Sequence, residues 1–131
     1  MGQSQLLMIV LAVIIVGIAV TVGITQFGES ALASNRDSLA TDCTTIISKA
    51  QTWYRKPTSM GGGGNAFTGL TLAKMGVGSS NDNGDYALTV AAQQITCVGT
   101  GNETNSAGAD ITTTMVYYAS GDSTVYSDNL E

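Results

Sequence analysis

Leu6–Thr25 reads LLMIVLAVIIVGIAVTVGIT. Sixteen of these 20 residues are apolar, and the exceptions are Gly17, Thr21, Gly23 and Thr25. At ~1.5 Å per residue, a helix of this length crosses the hydrocarbon core of a bilayer. A cleaved signal peptide would need a basic leading region, a shorter apolar run and a small-residue cleavage site. Met1–Gln5 (MGQSQ) has no Lys or Arg, the apolar run is too long, and no clear cleavage site follows it. The segment is therefore expected to stay in the mature protein. Its small and hydroxyl residues let helices approach closely. They also weaken the helix locally, since Gly costs ~1 kcal/mol relative to Ala. Gly17, Thr21, Gly23 and Thr25 are thus candidates for a melting site in a segment that leaves lipid to pack on copies of itself.

Charge begins only where this stretch has ended. No charged side chain precedes Glu29, and the formal net charge of −5 rests on only five Lys plus Arg. An apolar N-terminal rod is followed by a polar head. The acidic balance argues against a basic nucleic-acid footprint over the surface. The chain has no His, so the usual neutral-pH base and the commonest metal ligand are both missing. Two Cys cannot build a four-thiolate metal site. No Ser/His/Asp or Cys/His set can form. Nothing here points to an enzyme, and no cofactor or metal is expected.

The helix is expected to continue past the rod. No Pro occurs before Pro57. Leu32, Leu39, Ile46 and Trp53 recur every seven residues, with Cys43 and Ala50 between them, which draws one apolar face. Arg55 and Lys56 suit a helix C-terminus, and Pro57 then ends it. Residues 1–28 read as the apolar transmembrane or filament-core helix, 29–57 as its amphipathic half, and 58–131 as the head.

Within the head, Met60–Asn65 (MGGGGN) reads as a flexible connector; it lacks the strand and the Gly-Lys-Ser/Thr of a phosphate loop. Phe67–Val77 is expected to be irregular or a short helix covering the sheet. Asn83-Gly84 is a turn signal. Tyr86–Ala91 and Gln94–Val98 read as one bent strand or two, and Thr100–Gly108 as a loop. Ile111–Ala119 is the strongest strand, Gly121-Asp122 a tight turn, and Ser123–Ser127 a last short strand. The fold class is α+β, one long helix packed on a small antiparallel sheet of three or four strands.

Cys43 falls on the buried helix face and Cys97 on a strand. A disulfide between them would tie helix to sheet; the other reading is two small buried thiols. By the chain-entropy argument a bridge over this loop contributes ~4 kcal/mol, and it requires an oxidising compartment. Asn102-Glu103-Thr104 is a glycosylation sequon, so Asn102 is a candidate acceptor. Asn81-Asp82-Asn83-Gly84-Asp85 resembles part of a calcium loop, but Ala92 stands where the closing Glu would be, and a polar turn is the simpler reading. Asp37 and Asp42 read as a solvated helix face within reach of Arg36 or Lys49. Trp53 and the tyrosines read as packing residues.

Taken together, the apolar-then-amphipathic helix, the Gly-rich connector and the small antiparallel sheet resemble a bacterial type IV pilin over the whole chain. In that family a prepilin peptidase removes a short leader, and the fifth mature residue is usually a Glu that pairs with a neighbour's N-terminal amine. On this resemblance either Met1 is the mature first residue, methylated as in the family, or it is an initiator and cleavage follows Gly2; the first is favoured because it puts Gln5 at the Glu position. Some pilins, archaeal-type ones included, carry Gln there. A Gln hydrogen-bonds to an amine without neutralising it, which makes a weaker contact in lipid or a dry core. Val22 stands where the family often has a helix-breaking Pro. Pilins often bridge two C-terminal cysteines, unlike the pair expected here.

The resemblance implies a helical homopolymer, held by Met1, Gln5, Leu6, Leu7, Leu11, Ile14, Ile15 and Ile18. The partners it implies are copies of the chain, an inner-membrane assembly platform and the prepilin peptidase. The subunit would wait in the inner membrane and end in an extracellular filament. The alternatives are a pseudopilin or minor pilin of a secretion or DNA-uptake system, and a single-pass membrane-anchored binding module.

Overall fold

The computed structural model describes residues 2–121 and 125–129. It divides into two compact units, Met1–Ala31 and Leu32–Glu131. Helix α1 spans Gly2–Arg55 and belongs to both. As described from Gly2 onward, the first unit is helix alone, with no buried side chain.

In the second unit the amphipathic half of α1 lies on a five-stranded antiparallel sheet. The strands are β1 (Ser80–Asn81), β2 (Gly84–Ala91), β3 (Gln94–Thr104), β4 (Asp110–Tyr118) and β5 (Val125–Asp128), and they neighbour one another in chain order. The class is α+β, as expected, but with five strands rather than three or four. The additional one is β1, a two-residue strand with no apolar alternation to announce it. Ser123 and Thr124, the start of the expected last strand, lie outside the described residues.

One face of the sheet is buried under the helix, and β3 and β4 alternate accordingly. Ile95, Cys97, Ile111, Thr113 and Met115 point inward and are buried. From the helix, Leu39, Cys43, Ile46, Ile47 and Ala50 meet them. Leu32 and Trp53, at the two ends of the expected seven-residue series, are half-buried. Phe67 and Leu70, from the segment before the sheet, close the far end of the core with Ala50 and Ile95. The Tyr54 and Phe67 rings lie 4.7 Å apart, and Tyr117 meets Phe67 edge-on at 6.3 Å, so these aromatics are packing residues.

Two expectations are corrected. The glycine run 61–64 is not a flexible connector but a cap on the helix end. Gly63 N–H donates to the Trp53 carbonyl (2.9 Å), Gly64 N–H to Lys56 (3.0 Å) and Asn65 N–H to Tyr54 (2.9 Å). These carbonyls are among those a helix C-terminus leaves unpaired. Glycine is needed because the chain passes so close: a Cβ on Gly63 would land on the Ala66 carbonyl and the Trp53 ring. The second correction concerns 100–108. Strand β3 continues to Thr104, and Gly101 is buried within it. Its glycine marks close approach of the helix, since a Cβ there would strike Asn35.

Candidate functional site

The first unit presents apolar side chains on every side. From Leu6 to Phe27, fifteen large hydrophobic residues are more than half exposed, among them Leu6 (64%), Leu11 (57%) and Ile14 (53%). Covering one such side chain is worth ~1.5–3 kcal/mol relative to water, so fifteen amount to roughly tens of kcal/mol. That exceeds the ~5–15 kcal/mol by which a whole domain is stable. This surface must therefore be covered by lipid or by protein. The helix is long and apolar enough to cross a membrane.

Helical geometry sorts the expected assembly residues. Leu7, Leu11, Ile14 and Ile18 share one face, at spacings of four, three and four. Leu6 and Ile15 lie to either side, and Gln5 is exposed in the first turns. Met1 lies outside the described residues. Thr21 and Thr25 continue that face at spacings of three and four, Gly17 lies at its edge, and Gly23 stands on the far side. All four melting candidates lie within unbroken helix. The hydroxyls of Thr21 and Thr25 donate to the carbonyls of Gly17 and Thr21, each at 2.7 Å. The two threonines thus offer lipid or a neighbouring helix no free donor. A Cβ on Gly17, Gly23 or Gly28 would meet nothing within 4 Å. No contact inside the described chain requires these residues to be glycine.

In the second unit, Cys43 and Cys97 form the expected disulfide, with Cα atoms 5.8 Å apart and both residues fully buried. The bridge joins α1 to β3, which lies at the centre of the sheet. Asn102 is exposed as expected, but on β3 rather than in a loop. Its amide donates to the Asp82 carbonyl at 3.0 Å.

The sequence reading missed Asp42. It faces not a solvated helix surface but the sheet, where Oδ2 accepts from the Tyr86 hydroxyl and from the amides of Asn81 and Asn83, each amide at 2.9 Å. Burial raises the carboxyl's pKa, but the donors Tyr86, Asn83 and Asn81 outweigh it and hold it below the ordinary 3.8. The Tyr86 phenol is pushed up to about 12, by burial first and then by the carboxylate that accepts its hydrogen. An oxygen engaged by three donors is an anchor and not a free base. Asn81 and Asn83 flank the β1–β2 turn, so the calcium-like motif is a polar hairpin turn pinned to the helix. An open groove of about 500 Å3 beside it is lined by Ser34, Asp37, Ser38, Thr41, Asp42 and Asn83. Asp37 pairs with Arg36 at 2.8 Å. Among the described residues no group of three His, Cys, Asp or Glu is placed to hold a metal ion. The only early sign of the anchor was the density of Asn and Asp in residues 81–85.

Comparison with protein-family models, with curated protein sequences and with solved structures finds no match to this chain.

Proposed function

We infer that this chain is the structural subunit of a helical, type IV pilus-like filament on the cell surface. The observation that carries the reading is the first unit: an all-round apolar helix with no buried side chain among its described residues, set before a unit that owns a core. Such a helix is satisfied by lipid before assembly and by copies of itself afterwards. Glycines that nothing in the chain requires fit a surface where neighbouring helices come close. The order of one long helix followed by an antiparallel sheet is that of a pilin fold. Gln5 is the residue we assign to the neighbour's N-terminal amine, as a hydrogen-bonding rather than a charge-neutralising contact. An inner-membrane platform and a prepilin peptidase are the partners this reading requires.

The test is electron microscopy of material sheared from cells, with peptide mass spectrometry on the same fraction. Thin uniform filaments built of this chain support the reading. A chain found only in the membrane fraction sinks it, in favour of a single-pass anchored module or a pseudopilin retained in its machine. The folding of Thr21 and Thr25 onto helix carbonyls suits that anchored alternative equally well.

A further inference from the structure

Most charge in the second unit is sorted to its two ends, with Arg36 the one cation at the acidic end, beside Asp37 and Asp128. Strand register places Asp85, Glu103, Asp110 and Asp128 at one end of the sheet. Asp82 joins them through the Asn102 contact, and Asn35 on α1 reaches Asn83 there. At the opposite end the β2–β3 turn meets Tyr54, through the Gln93 side chain. There lie Arg55 and Lys56, and Lys74 rests over the Trp53 ring at 5.9 Å. Lys49, Lys56 and Lys74 line one groove of about 260 Å3 beside Trp53. Four of the chain's five cations thus gather toward one end, and among the described residues none is paired with a carboxylate. The helix dipole accounts for Arg55 and Lys56. It does not account for Lys49, or for Lys74, which arrives from another part of the chain.

We propose that copies of this chain dock end to end through their heads, the Lys49–Lys56–Lys74 groove of one against the Asp82–Asp85–Glu103 end of the next. The occupant is a second copy because the chain itself supplies the complementary charge. At a net charge of −5 most approaches between copies are repulsive, and this orientation sets the cation groove against carboxylates. Attraction across such a contact selects register more than it adds affinity. The proposal rests on the filament reading for its setting, and its test separates the two.

A zero-length carbodiimide joins a lysine to a carboxylate only when the two touch. Lys56 follows the end of α1, which runs 13 residues or ~20 Å past the level of Asp42, so a Lys56 link to Asp82, Asp85 or Glu103 must join two copies. Sheared surface material and membranes are both treated and digested, and the linked peptides are read by mass spectrometry. Filaments with these links support both readings. Filaments without them overturn the docking alone. Links in membranes without filaments leave the docking standing and remove the filament. Neither filaments nor links overturns both. In a second arm, Lys49→Glu with Lys56→Glu lowers filament yield about tenfold or more, and adding Asp85→Lys with Glu103→Lys restores it. An intact Cys43–Cys97 bridge and an unchanged melting temperature establish that the variants fold. Wild-type yield from a folded Lys49→Glu/Lys56→Glu chain, or no recovery in the combined variant, overturns the proposal.

Discussion

Tyr86 on β2 donates its phenolic hydrogen to Oδ2 of Asp42 on α1, across 44 positions of sequence. The contact fixes the helix against the edge of the sheet, where β1 is only two residues long. Removing Asp42 leaves the buried Tyr86 hydroxyl without this acceptor, whereas removing the hydroxyl leaves Asp42 with the two asparagine amides. Tyr86→Phe is expected to cost about 2 kcal/mol and Asp42→Ala somewhat more, because two asparagine amides lose their acceptor as well. Chemical unfolding of the full chain in detergent, followed by tyrosine and tryptophan circular dichroism, measures both.

The same pair sets a pH dependence of stability at both extremes. The Asp42 carboxyl is depressed in the folded state, so its contribution is present above its ordinary value of 3.8 and is lost as pH falls through its lower folded value. The Tyr86 phenol is raised, so its contribution is complete below pH 10 and is lost as pH rises toward about 12. Melting temperature against pH should therefore fall off at the alkaline end, and Tyr86→Phe should flatten that fall. An identical alkaline slope in the variant would remove Tyr86 as its source.

The disulfide closes 54 positions of chain onto itself. Cys43→Ala with Cys97→Ala is expected to lose about 4 kcal/mol by the chain-entropy argument. Reducing the wild type under conditions that expose the buried bridge should give a comparable loss, while reductant should leave the double variant unchanged.

Gly63 and Gly61 provide a paired test of the helix cap. A methyl on Gly63 collides with Trp53 and the Ala66 carbonyl, whereas one on Gly61 meets open space at a left-handed φ of +77°. Gly63→Ala should cost about 2–3 kcal/mol through overpacking and loosening of the cap. Gly61→Ala should cost about 1 kcal/mol from backbone strain alone. Equal effects would mean that close passage over Trp53 is not what the glycine run serves.

Gly17→Leu separates the filament from the membrane anchor. The position is open within the chain, and Leu suits lipid at least as well as Gly. Membrane insertion should therefore be unchanged. Filaments should be reduced or lost, because the added side chain holds neighbouring helices apart. Ile14→Lys and Leu11→Asp are expected to abolish filaments outright. Wild-type filaments from Gly17→Leu would show that no close helix contact passes through that face.

The helix, its buried face and the disulfide pairing were legible because each is written in spacing or in count. The apolar run has no charge to interrupt it, the seven-residue series ends at Trp53, and only two cysteines exist. What the sequence hid were features of close approach. Gly63 and Gly101 look like flexible-loop residues, yet each is glycine because something passes over it, and composition cannot tell those conditions apart. Asp42 reads as surface in the sequence because its partners come from the β1–β2 hairpin, 39 to 44 residues away. Strand β1 pairs through turn geometry rather than an apolar pattern. The open positions at Gly17 and Gly23 are visible as glycines, but that no described residue occupies the space beside them required coordinates.

The bridge from Cys43 to Cys97 also fixes how the chain would bear tension. If the two ends are pulled apart, the covalent path runs along α1 to residue 43, across the sulfurs, and on from residue 97. Residues 44–96 fall outside that path. These 53 residues, roughly 180 Å of extended chain, cannot be paid out while the bridge holds. Load enters the sheet through β3, which is held on both sides by β2 and β4. The second unit can then lengthen only through residues 32–42 and 98–131, and it behaves under force as a short tether rather than a long one.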